Sequence, residues 1–198
     1  MARAFRAKKG RFVARMSADE IAVVVHLLRL TRDFVAPERA DTGDPLADLV
    51  AGLGESDPVP TEPVDPALRR LLPPAHRSDS EQAAEFRALT EHSLRGRKVR
   101  VLTAAIEALT EASAPAVDLS SEQAQSLMVA LTDVRLVLGE RLGLRDDDDS
   151  AALHAEVERL SNDDLGSEED VERARRAAYY DFLSWMQESL AARLLEQR

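Results

Sequence analysis

Three times in this chain a serine with glutamate or glutamine three residues later stands ahead of an apolar helical run: Ser17 with Glu20, Ser78 with Glu81, and Ser120 with Gln123. In such a box the serine oxygen accepts the amide of the third residue, whose side chain accepts the serine amide in return. Two amides that no helical turn can satisfy are thereby bonded. Each box is followed by apolar residues at helical spacing. Ile21, Val24, Val25 and Leu28 follow the first, and Leu127, Met128, Leu131, Val134, Leu138 and Leu142 follow the third. The spacing predicts helices over about 18–35, 79–112 and 121–142, and a last one over about 168–196 carrying Val171, Ala174, Ala178, Phe182, Trp185, Met186, Leu190 and Leu194. The fold class expected is mainly α: a bundle of four to five long or medium helices. The 121–142 helix is apolar on most sides, through Val129, Leu136 and Val137, and so belongs in the middle. In the second long helix Phe86 and Leu89 fall opposite Leu94, Val101, Leu102, Ala105, Ile106 and Leu109, which predicts a kink or a change of packing partner near Gly96.

Ahead of the first box, "RAFRAKKGRFVARM" alternates around a Lys9-Gly10 turn signal. It reads as a short β-hairpin with Phe5 opposite Ala14 and Ala7 opposite Phe12, its phenylalanine face laid on the bundle. Residues 37–78 hold eight of the nine prolines and many acids. They read as a strap with two short helices, "DPLADLVAG" and "DPALRRLL", each with proline at the first helical position. Residues 145–167 read as an acidic loop region, with a short helix after Ser150. The 198 residues are expected to form one helical domain with a core of its own.

The chain has no cysteine, which excludes disulfides, thiolate metal sites and thiol redox chemistry. No apolar run approaches the roughly 20 residues that cross a bilayer, and the basic start lacks a signal-peptide core, so a cytoplasmic protein with no membrane partner is expected. Net charge is −10 but uneven: residues 1–15 carry six Lys or Arg and no acid, whereas residues 146–172 carry twelve acids and one base. An acidic whole argues against general affinity for nucleic acid and leaves room for a local basic surface.

Asp146 to Asp149 invite a calcium reading that spacing defeats. Counting from Asp147 puts Ala151 and Ala152 where a calcium loop needs an oxygen ligand and a glycine, and counting from Asp146 puts Val157 at the final position. A solvated acidic loop is the reading preferred. Arg135 shares a face with Met128, Leu131 and Leu138, and a guanidinium there needs partners. It is expected in a buried structural ion pair, with Asp133, Asp181 and Glu188 as candidates. In "LRGRKVR", residues 94–100, Arg97 and Arg100 point away from the apolar side while Arg95 and Lys98 lie within or beside it. Solvated or snorkelling side chains are the reading preferred over phosphate contact. Arg3, Arg6, Lys8, Lys9 and Arg11 crowd the hairpin with Phe5 and Phe12 between them. That pattern suits single-stranded nucleic acid if the rings are free to stack, and a plain sheet if they turn inward. His26, His76, His92 and His154 stand far apart, and no phosphate loop, nucleophile triad or HExxH pattern occurs, so neither enzyme activity nor a cofactor or metal is expected.

The segments "DPALRRLLP" (65–73), "EFRALTEHSLRGRKV" (85–99), "ALTDVRLVLGERLGL" (130–144) and "YYDFLSWMQESLAARLL" (179–195) together resemble the actinobacterial family catalogued as domain of unknown function 2017. The likeness spans most of the chain and thins over about 145–178. It implies a cytoplasmic regulatory protein, since members are described as transcriptional regulators with a link to oxidative stress. A thiol switch cannot operate here. Met16, Met128 and Met186 are oxidisable, and the last two read as core residues. The function expected is therefore non-enzymatic, acting on transcription through a protein partner. Leu68, Arg69, Arg70, Leu71 and Leu72 are the expected contact, with a bundle-capping helix as the plain reading. The alternative is a dimeric DNA-binding regulator using the hairpin cations with Arg97 and Arg100. A homodimer is expected if the long helices carry more apolar face than one chain buries.

Overall fold

The structure, a computed structural model, describes residues 2–37, 62–73, 80–145 and 167–196, together with residues 149, 152, 153 and 155. The "DPLADLVAG" helix, Ser78 of the second box, and most of the acidic loop lie outside the described residues.

Strands β1 (Arg3–Lys8) and β2 (Arg11–Arg15) form the hairpin. Lys9 and Gly10 both take positive φ, 51° and 77°, the pair of left-handed residues that matches the twist of a two-residue hairpin. Ala7 faces Phe12 as expected, but Phe5 does not face Ala14. A register shift between Arg3 and Arg6 sets Arg3 opposite Arg15. The bulge lets Phe5 reach the core beside Phe12 while the strand bends over the bundle.

The hairpin is two-thirds of a sheet. Strand β3 (Ala116–Leu119), which the sequence reading lacks, pairs antiparallel with β2, placing Phe12 opposite Leu119 and Ala14 opposite Val117. The order is β1-β2-β3. Alternation puts Phe5, Phe12, Ala14, Val117 and Leu119 on the inner face, all buried. On the β1 side the Phe5 amide donates to Ser189 Oγ at 3.4 Å, so the hairpin is held at both flanks rather than free as an arm.

Five helices are delimited among the described residues: α1 (Ala18–Val35), α2 (Pro66–Leu71), α3 (Ser80–Thr110), α4 (Ser121–Leu142) and α5 (Glu168–Leu195). The boxes at Ser17 and Ser120 both close, with serine oxygens accepting the Glu20 and Gln123 amides at 3.2 Å. Glu20 serves twice, because its other oxygen accepts the Ala2 amide at 2.8 Å and ties the start of the sheet to α1. The Ser17 amide, then burial working against it, then the Ala2 amide set the Glu20 carboxyl, with the net result below its ordinary range. α4 ends at Gly143, whose φ of 78° a side chain would resist, while Leu144 N donates back to Gly139 O at 2.8 Å.

α4 is the hub, as its all-round apolar character predicts: it packs on α1, α2, α3 and α5 and touches β2 and β3. Leu127, Leu131, Leu102, Leu109, Leu28, Leu183, Met186 and Leu190 are fully enclosed around it. α3 runs as one helix through Gly96; Phe86 and Leu89 on its first half are exposed, whereas Leu102, Ala105, Ile106 and Leu109 on its second half are buried. α3 also completes α1: Arg95 Nη1 donates to the Val35 and Ala36 carbonyls at 3.1 and 3.5 Å, and its Nε donates to Glu91 at 2.8 Å. A cation thus meets the negative end of α1 and carbonyls that no further turn satisfies.

Candidate interaction surface

With Phe5, Phe12, Ala14, Val117 and Leu119 turned inward, the opposite face of the sheet is fixed by the same alternation. Arg6, Val13 and Asp118 form one row across the three strands, Lys8 and Arg11 a second, and Arg3, Arg15 and Ala116 a third. Arg3, Arg6, Lys8, Arg11 and Arg15 are all exposed, and Lys9 stands at the turn beside them. Among the described residues one carboxylate pairs with any of these cations. Asp118 Oδ1 accepts from Arg11 Nε at 2.6 Å, while Arg11 Nη2 donates to the Asp118 carbonyl at 3.1 Å. The result is a strongly cationic face on a chain of net charge −10. Arg15 and Asp118 were missed as members of this face. Arg15 follows from the alternation that buries Phe12 and Ala14, whereas Asp118 enters only through β3.

Phe5 and Phe12 are 3% and 0% exposed, so neither ring is available to stack on a base. Arg97 and Arg100 are exposed on α3, while Arg95 and Lys98 turn inward to Glu91 and Asp133, as their helical positions predict. These cations do not extend the hairpin surface through a shared element: β1 packs on α5, and α3 packs chiefly on α1 and α4.

The "LRRLL" turn corrects the expected contact site. Leu71 and Leu72 are 1% and 3% exposed and Leu68 is half-buried, so the leucines are core rather than surface. Only the arginines face outward, and Arg70 Nε bonds Glu140 Oε2 at 2.7 Å while Arg69 lies 3.9 Å from Glu62. Asp65 caps the turn by accepting the Ala67 amide at 2.8 Å and holds Arg141 at 2.5 Å. The Arg141 guanidinium holds the Asp65 carboxyl below its ordinary value. A six-residue helix could not persist alone, so its apolar side is spent on docking to α4.

Arg135 is a second correction. Its guanidinium is half-buried between α4 and α5, but no carboxylate among the described residues pairs with it. Nη1 donates to Gln187 Oε1 at 2.6 Å, Nη2 to the Tyr180 hydroxyl at 3.3 Å, and the charge lies 5.1 Å from the Tyr180 ring centre. Asp133 is unavailable because it points to α3, where Lys98 Nζ meets Oδ1 at 2.6 Å. Two residues along a helix turn side chains about 200° apart, so neighbours in sequence serve different interfaces.

Two hollows remain. One of about 240 Å³ between α1 and α4 is lined by Leu27, Leu30, Phe34, Val134, Val137 and Arg141, among others. The other, about 530 Å³, lies by the start of α5 among Glu168, Glu169, Glu172, Arg173 and Arg176. Among the described residues no three His, Asp or Glu side chains gather closely enough to hold a metal ion. None of the helices there is long and apolar enough to cross a membrane.

The family model described as "Domain of unknown function (DUF2017)" matches residues 2–194. The chain belongs to the DUF2017 family. The match takes in the sheet, the five delimited helices as far as Leu194, and the segments between them. No curated protein and no solved structure matches this DUF2017 chain.

Proposed function

We propose that this DUF2017 protein is a non-enzymatic regulator of actinobacterial origin, working in the cytoplasm and influencing transcription through contact with a protein partner. The observation that carries the reading is the outer face of the sheet, with Arg3, Arg6, Lys8, Arg11 and Arg15 presented together and, among the described residues, Asp118 as the one carboxylate paired there. Burial of the phenylalanines behind that face makes it rigid before any partner arrives, which lowers the ordering cost of binding. Like charges gathered this way cost stability, which favours a surface kept for association over one kept for folding.

The second reading, a DNA-binding dimer, draws on Arg97 and Arg100 as further exposed cations. Shape weighs against it. The major groove admits a helix or a two-stranded ribbon, whereas this sheet has three strands and is backed by the bundle. In vitro transcription with a purified actinobacterial RNA polymerase holoenzyme tests both. A change in transcript yield without binding to promoter DNA alone supports the protein-contact reading. Promoter binding by the isolated protein, falling steeply with salt, supports the DNA reading. Unchanged transcription across promoters of stress and housekeeping type refutes both.

A further inference from the structure

We infer that the outer face of the sheet takes a carboxylate-rich segment of a partner protein, and that Asp118 holds Arg11 in the free protein as the partner's carboxylate does in the complex. This rests on the reading of the chain as a partner-binding regulator and names the chemistry of the partner.

Complementary charge is the first ground. Arg3, Arg6, Lys8 and Arg15 have no anionic partner among the described residues, although acids outnumber bases by 36 to 26 in the whole chain. Among the described residues, these four cations are therefore kept apart from carboxylates.

Reach is the second. Strands of this length span roughly 13–20 Å, and three of them set about 4.8 Å apart make a patch some 10 Å across between outer strand axes. Screening at physiological salt acts over about 8 Å, so a short acidic segment on the patch feels chiefly the patch. A nucleic-acid strand long enough to bind tightly runs past the edge into the field of a chain carrying −10.

The third ground is Asp118 itself. Arg11 holds it by two donors, Nε to the carboxylate at 2.6 Å and Nη2 to the carbonyl at 3.1 Å, and thus already shows the geometry in which this face receives a carboxylate. Both side chains are about half exposed, at 49% and 53%, so an incoming acid can displace the pair without unpacking the sheet. Asp118 then competes with the partner for Arg11, and binding exchanges an internal carboxylate for an external one.

Fluorescence anisotropy with a labelled poly-glutamate peptide, and with an oligothymidylate of equal net charge, tests the inference on the full chain. The peptide should bind, and more weakly as salt rises from low to physiological strength. Arg6→Glu with Arg15→Glu should lower its affinity about tenfold or more. Asp118→Asn should raise it roughly threefold to tenfold by releasing Arg11. Thermal melts of each variant within a few degrees of the parent show that the fold is retained, since none of these side chains is buried. No peptide binding at low salt, affinity indifferent to the three substitutions, or preference for the oligothymidylate would each overturn the inference. Peptide binding with unchanged transcription would leave it standing while removing the regulatory reading. Altered transcription that survives Arg6→Glu with Arg15→Glu would do the reverse.

Discussion

Replacing Lys98 by methionine should destabilise the fold far more than an exchange on a surface helix would. Lys98 crosses from α3 to Asp133 on α4 with Nζ 2.6 Å from Oδ1, and the two side chains are 17% and 4% exposed. Asp133 Oδ2 has no hydrogen-bond partner, so the ammonium is what compensates the buried charge. Removing one partner of such a pair costs about 3–5 kcal/mol, because the other charge is left desolvated. At roughly 2–4 °C per kcal/mol for a domain of this size, the melting temperature should fall by about 6–20 °C. Asp133→Leu should cost less, about 1–2 kcal/mol, since the stem of Lys98 is long enough to lift its ammonium to water. The double variant, Lys98→Met with Asp133→Leu, should return to within about 1 kcal/mol of the parent or exceed it, as apolar replacements of buried pairs do. Urea and thermal denaturation followed by circular dichroism measure all three and yield the coupling energy directly. A Lys98→Met protein as stable as the parent, or a double variant whose loss is simply the sum of the single losses, would refute the view that this pair is buried and mutually dependent.

Leu71→Ala should cost roughly 2–5 kcal/mol in the same denaturation assay, since the side chain is 1% exposed; a loss below half a kcal/mol would return the "LRRLL" turn to the surface. Gly143→Ala meets no atom within 4 Å of the added carbon, so its expected loss of about 1–2 kcal/mol arises from the backbone at φ 78° alone, and a neutral result would remove the left-handed end of α4. The Asp65 carboxyl lies below its ordinary value of 3.8 because of Arg141, so its contribution to stability is complete above that value and is lost as pH falls through the lower, folded-state value. Asp65→Asn should flatten this part of the acid-denaturation profile, and a variant profile parallel to the parent's would contradict the assignment.

The helices were legible because their signals are local. Ser17 and Ser120 mark their starts, Gly143 marks an end, and periodic leucines mark the buried face. Strand β3 was not, because four residues between Pro115 and Ser120 carry too short an alternation to stand out. What makes them a strand is Phe12 and Ala14, about a hundred residues away. The same distance hid Asp118 from the cationic surface. At Arg135 the need for partners was correctly read, but their identity depended on how α4 and α5 meet. Tyr180 and Gln187, neutral groups that charge reasoning passes over, fill the role. In "LRRLL" the sequence pattern is the same for a docking motif and for a bundle cap, and only packing against α4 separates the two.

The contact between Phe5 and Ser189 has a further consequence for biosynthesis. The first strand emerges from the ribosome before the last helix, on which it finds its support, and Leu119, which lies opposite Phe12 of the second strand, comes late as well. Until translation has passed Leu190, a greasy ribbon fringed with arginines stays without its seat, available to whatever acidic macromolecule or chaperone it meets. A tag or trimming at the basic start of the chain would therefore be felt at α5, the element farthest from it in sequence.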